Sequence, residues 1–211
     1  MVERIRACRL CRDTPNVGLP SGRTIAPLPH EPRPVLQFSA RARLCLCGQA
    51  PGTRVHASGR PFTDPSGDRL RAWLGIDADT FYDADQVGIV PMGFCFPGLD
   101  AKGGDRPPRP ACARTWHADL FASRAPFELL LPIGFHAMRW HLGKRAEATL
   151  TQTVAQSLDI ARETAAQGTM MIPLPHPSWR NNAWLKRHAW FERDVLPFLR
   201  TQVARVLAGK G

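Results

Sequence analysis

Two sets of residues in this chain have the types and spacing to do chemistry. Cys8 and Cys11 flank two residues, and Cys95 and Cys112 follow far along the chain with sixteen residues between them. Four soft thiolates suit metal binding, as structural zinc or as an iron-sulfur cluster, and ligand identity alone does not choose between them. The second set begins at Gly48-Gln49-Ala50-Pro51-Gly52, directly after the apolar run Leu44-Cys45-Leu46-Cys47. A glycine turn there lies at the C-terminal edge of a buried strand, where open α/β sheets bind ligands. Two more polar insertions, Gly59-Arg60-Pro61-Phe62 and His176-Pro177-Ser178, are expected to meet it in one crevice. Each also has a plainer reading: Gly52 relieves backbone strain, Phe62 packs inward and His176 is bonded locally.

These residues need a scaffold. Short apolar runs at 43–47, 87–92, 128–133 and 170–174 predict four strands joined by crossovers in a parallel sheet. Asp64-Pro65-Ser66-Gly67 precedes Leu70, Trp73 and Leu74, so Asp64 is placed to cap a helix that starts at Pro65 and ends at Gly75. Asp64 thus has a structural explanation beside any catalytic one. Trp184, His188, Phe191 and Val195 recur at helical spacing and predict one apolar face until Pro197 interrupts or restarts the helix. Those aromatics read as core rather than as a base-binding platform. Cys45 and Cys47 are read as alternating across the first strand, so that at least one faces the packed interior rather than a metal. Residues 1–37 carry Arg, Pro and polar turns around a brief amphipathic turn at Val2, Ile5 and Leu10, and read as an N-terminal wrap on a single domain spanning 1–211.

A length of 211 residues with 44% hydrophobic content supports one sizeable core. Lys and Arg number 28 against 18 Asp and Glu, a formal net charge of +10 spread along the chain. That excess favours a polyanionic partner. The first residues lack an apolar signal-like segment, and no run reaches the roughly 18 apolar residues of a membrane span. A cytoplasmic protein with no membrane partner is expected, its cysteines reduced or metal-bound.

Taken in order, the motifs resemble the uracil-DNA glycosylase superfamily, especially its iron-sulfur branch with the motif GEAPG and a less characterised bacterial subgroup carrying GQAPG. The likeness rests on residues 48–52, on Gly59-Arg60-Pro61-Phe62, on Pro91-Met92-Gly93-Phe94-Cys95 and on His176-Pro177-Ser178, and it runs from Cys8 to about Leu199. It implies a three-layer α/β/α sandwich around a four-stranded parallel sheet. It also implies a monomeric, monofunctional hydrolase that cleaves the N-glycosidic bond of uracil or a related damaged base in DNA and leaves an abasic site. The four cysteines would then hold a [4Fe-4S] cluster, with zinc as the alternative.

The resemblance assigns roles residue by residue. Phe62 is the stacking wall for a base taken out of the helix. His176 is the donor to the departing base, where negative charge grows toward the transition state. Gln49 and Ala50 occupy positions at which relatives carry Glu or Asp, and neither is a carboxylate, so Gln49 can orient water but not act as a comparable base. Asp64 is the nearest replacement, with His56 weaker. The family's base-reading asparagine is replaced near Pro91, which leaves backbone groups of Met92, Gly93 and Phe94 as candidates to read the base edge. Trp179 is either a wedge in the DNA stack or an aromatic cap on the following helix, while Arg180, Lys186 and Arg187 are phosphate contacts. Two other readings stay open: a lesion-binding protein with little turnover, and a small-molecule α/β hydrolase, which lacks a serine nucleophile elbow.

Overall fold

Four parallel strands form the centre of the molecule, in the order β2-β1-β3-β4. A computed structural model of the protein describes residues 1–16 and 24–209, so residues 17–23 of the N-terminal wrap lie outside the described residues. The chain opens with two short helices, α1 (Val2–Arg6) and α2 (Leu10–Asp13). β1 (Leu44–Cys47) leads into α3 (Thr53–Ser58), α4 (Pro65–Leu74) and α5 (Ala78–Tyr82), and then β2 (Val87–Ile89). α6 (Pro110–Ala122), β3 (Leu129–Pro132), α7 (Phe135–Leu142), α8 (Leu150–Ala155) and α9 (Ser157–Ala165) follow. β4 (Met170–Met171), α10 (Asn182–Arg187) and α11 (Leu196–Ala208) complete the order. β1 lies between β2 and β3 with Leu44 beside Val87 and Leu129.

The two-residue period of β1 sorts the core into two layers. Leu44 and Leu46 face a cluster with Leu70, Trp73 and Leu74 of α4 and Leu199, Val203 and Val206 of α11. Cys45 and Cys47 face the opposite cluster with Ile5 of α1, Ala113 and Leu120 of α6 and Ala137 of α7. Helices therefore cover both faces, and the fold is a three-layer α/β/α sandwich. The two cysteines do not alternate: residues i and i+2 of a strand share a face, and their Sγ atoms lie 3.6 Å apart in the interior.

The strands are shorter than their apolar runs where proline intervenes. β2 ends at Ile89 because Pro91 has no N–H, although the Val90 and Met92 amides still donate to Leu46 and Gly48. β4 ends before Pro173, and Leu174 rejoins the sheet through a bridge to Ile133. Asp64, Pro65 and Gly75 delimit α4 as the sequence predicts, with Gly75 left-handed at φ 71°. The C-terminal periodic stretch is not one helix. α10 stops at Arg187, Phe191–Val195 form a π-helical turn, and Pro197 sits in the first turn of α11, where a missing N–H costs no helical bond. Phe191 and Val195 are core, as expected, while Trp184 and His188 are half-buried at its margin. No helix among the described residues is long and apolar enough to cross a membrane.

Candidate active site and thiol cavity

The glycine turn, the aromatic loop and the histidine motif converge. Gln49, Ala50, Phe62, Asp64, Pro91 and His176 line one cleft at the C-terminal ends of the strands. The turn is fixed from behind: the Gly48 and Gln49 carbonyls accept the Met92 and Gly93 amides, each at 2.9 Å. Gln49 folds over Gly134, where φ is 83° and a Cβ would stand 2.8 Å from Nε2. Only glycine accommodates both the backbone and the carboxamide there.

Phe62 is held in a conformation that non-glycine residues rarely adopt, φ 53°, alone in this among the described residues. Such a backbone costs about 1–3 kcal/mol and persists only where its surroundings fix it. The Tyr82 hydroxyl donates to the Phe62 carbonyl at 3.0 Å, and Arg60 lies 3.4 Å over the Tyr82 ring. Gly67 lets this carbonyl approach, since a Cβ at 67 would fall 1.9 Å from the Phe62 oxygen. The result turns the half-buried Phe62 ring toward Gly48 at the cleft wall.

Asp64 occupies the N-cap position of α4, but its side chain caps no backbone amide. Its Oδ1 accepts instead from the buried Ser66 hydroxyl at 2.6 Å, and its carboxylate faces the cleft. His176 is placed by its backbone, whose carbonyl accepts from Asn181 Nδ2 at 2.6 Å. Burial lowers the His176 pKa, Asp64 opposes that shift and Arg180 adds to it. A neutral imidazole at neutral pH follows, able to donate from one nitrogen. His56 is absent from the cleft walls; its ring lies tilted against His30 with centroids 4.3 Å apart, and Nδ1 is buried without a partner.

The run after β2 does not supply the predicted base-reading groups. Of Pro91, Met92, Gly93 and Phe94, only Pro91 is in the cleft wall. The amides of Met92 and Gly93 are taken by the turn, the Phe94 amide donates to Cys112 Sγ at 3.4 Å, and the Met92 and Phe94 side chains are core. Trp179 is 70% exposed, which leaves it free of the capping role, and Arg180 stands 5.7 Å from its ring centroid. Lys186 and Arg187 are exposed at the end of α10.

Sequence reasoning missed one cleft residue, Asp105. A hairpin-like loop carries it: Leu99 and Asp105 form an antiparallel bridge, and the Asp100 carboxylate accepts the amides of Lys102 and Gly104, each at 2.8 Å. This brings the Asp105 carboxylate against Gly52, whose Cβ would lie 3.2 Å from Oδ2. Its outer side is open to water, while burial of its inner side raises its pKa; Arg180 lowers it, and Asp64 and Asp100 raise it. The available signal was a carboxylate in Gly103-Gly104-Asp105-Arg106 between two motifs.

A second cavity is lined by Cys8, Cys11, Cys95 and Cys112 together with Arg109. Burial pushes Cys95 up to about 12 and raises Cys11 and Cys112 as well, so these thiols stay protonated unless a cation replaces the proton. Arg109 is buried with Nη1 unpaired, a setting suited to an anionic metal–thiolate group. No three His, Cys, Asp or Glu side chains among the described residues are grouped closely enough to hold a single metal ion.

The family model for the uracil DNA glycosylase superfamily matches residues 36–200, which covers the sheet, the cleft and the histidine motif. The chain belongs to that superfamily.

Proposed function

We propose that this protein is a monofunctional DNA glycosylase that hydrolyses the N-glycosidic bond of uracil or a related damaged base and leaves an abasic site. The observation that carries the reading is the convergence of Gly48–Gly52, Phe62 and His176 on one cleft of a chain with formal net charge +10. A base taken out of the stack enters this cleft and lies against Phe62 and Ala50. Neutral His176 donates a hydrogen bond to the base as the C1′–N bond breaks, stabilising charge that develops on the leaving group. Gln49 orients the water, and the Asp64 carboxylate stabilises positive charge on the sugar. Trp179 fills the vacated stack while Arg180, Lys186 and Arg187 bind phosphates.

The thiol cavity is proposed to hold a [4Fe-4S] cluster on Cys8, Cys11, Cys95 and Cys112. Four thiols lining one cavity beside the unpaired Arg109 support a metal–thiolate group there, with structural zinc as the alternative. The cluster would supply a structural tie between the N-terminal segment and the loop after β2. Anaerobic purification with visible spectroscopy and elemental analysis tests this: iron and sulfide support the cluster, and one stable zinc per chain overturns it.

One observation favours the lesion-binding reading, namely that neither Gln49 nor Ala50 is a carboxylate. Single-turnover assays on oligonucleotides containing uracil, other deaminated bases or oxidised bases separate the two. Released base and abasic DNA support the glycosylase. Tight binding that depends on Phe62, with no base released from any lesion, supports the alternative.

A further inference from the structure

The glycine turn lacks the carboxylate that hydrolysis calls for, and the fold brings one in from elsewhere. Asp105 and Asp64 reach the same cleft from different elements, a hairpin-like loop and the start of α4. Their settings differ. Asp64 is engaged by the Ser66 hydroxyl, whereas the Asp105 carboxylate lies against the backbone of Gly52 inside the motif itself. The turn closed by Asp100 holds Asp105 in place without using its carboxylate.

Resting on the glycosylase reading, we infer that Asp105 is the general base of the reaction, replacing in space the acidic residue that positions 49 and 50 lack. The attacking water loses a proton to the Asp105 carboxylate as its oxygen bonds to C1′, and the C1′–N bond breaks with its electron pair leaving on the base. The products are an abasic sugar, a base anion held by His176 and a protonated Asp105. That proton then passes to the base or to solvent, so no co-reactant beyond water is needed. The Asp64 carboxylate faces the positive charge on the sugar. Separate carboxylates for separate tasks are the usual arrangement in glycoside cleavage. Burial and the nearby Asp64 and Asp100 carboxylates raise the proton affinity of Asp105, while Arg180 restrains it.

The test measures single-turnover base release from a uracil-containing oligonucleotide across pH, alongside binding of the same DNA, for the full chain and for Asp105→Asn and Asp64→Asn. General-base loss is expected to slow Asp105→Asn by about 100-fold to 10,000-fold. Lesion binding and the far-ultraviolet circular dichroism should remain near wild type. The wild-type rate should rise with pH and level off, a rise that Asp105→Asn loses and Asp64→Asn keeps. Wild-type release with an unchanged rate and pH profile in Asp105→Asn overturns the inference and leaves the glycosylase reading intact. A wild-type protein that binds lesions but releases no base overturns that reading and this inference with it.

Discussion

The cleft and the thiol cavity share one stretch of chain, yet they gather different polar groups. The segment between β2 and α6 gives Pro91 and Asp105 to the cleft, and Gly93, Phe94, Cys95 and Arg109 to the cavity, with Cys112 just inside α6. In the cleft, charges of both signs meet: Asp64 and Arg180 pull the His176 pKa in opposite directions, and Arg180 and Asp64 do the same at Asp105. In the cavity, burial, with the neighbouring thiols behind it, drives Cys95 to about 12, while a backbone hydrogen bond and Arg109 pull the other way. The cleft thus places charges of both signs around its histidine, whereas the cavity gathers buried thiols whose ionisation would call for a compensating cation.

After the loss of Asp105, the largest effect should come from breaking the cleft at His176. His176→Ala removes a donor whose contribution grows as charge develops, so single-turnover cleavage should fall by about 100-fold to 1,000-fold. DNA affinity should change much less. Visible absorbance from the cavity should not change, because His176 is not among its lining residues. Normal chemistry from this variant would remove His176 from the central role.

The cavity is broken by Cys95→Ala. On the proposed cluster reading, this variant should purify with less iron and unfold at lower temperature, since a metal that binds only the folded state stabilises that state. Base release should also decline, because the displaced loop carries Asp105. A variant that loses iron yet keeps full stability and full activity would show that the two sites are independent.

Much of this architecture was legible because it depends on local pattern. Four apolar runs marked four strands, and Asp-Pro-Ser-Gly marked the start of α4. The motif order brought Gln49, Phe62, Asp64 and His176 to one cleft. What was not legible depends on long-range geometry. Asp105 sits in a loop with no periodicity, and only the turn closed by Asp100 and the bridge to Leu99 aim it at Gly52. The helix break after Arg187 has no proline at the break to announce it. The amides of Met92 and Gly93 looked free for base reading because their acceptors, Gly48 and Gln49, lie more than forty residues earlier.

A smaller effect sharpens how the cleft holds its aromatic wall. In Gly67→Ala the new Cβ meets the Phe62 carbonyl at 1.9 Å, which forces the backbone of one of them to move. A cost of about 1–3 kcal/mol is expected from such overpacking. Denaturant unfolding should register that loss, and lesion binding should weaken with it because the Phe62 ring moves. If unfolding is unchanged and Phe62 still quenches a fluorescent base analogue, the φ 53° conformation is not fixed by Gly67.

The smallest effect tests whether the cleft and the DNA surface are electrostatically joined through Arg180. Its guanidinium is exposed beside Trp179 and acts on both Asp105 and His176. Arg180→Ala should weaken binding by a similar factor for every lesion and reduce the slope of log affinity against log salt by about 1. The same substitution removes the interaction that favours ionised Asp105. With Asp64 and Asp100 still facing it, the Asp105 pKa rises further, and a smaller fraction of the base form is present on the acid side of the profile. The acid limb of single-turnover release should therefore move to higher pH while the plateau rate stays close to wild type. A salt slope that drops without any movement of the acid limb would confine Arg180 to phosphate contact; a limb that moves with the slope unchanged would assign Arg180 to the cleft instead.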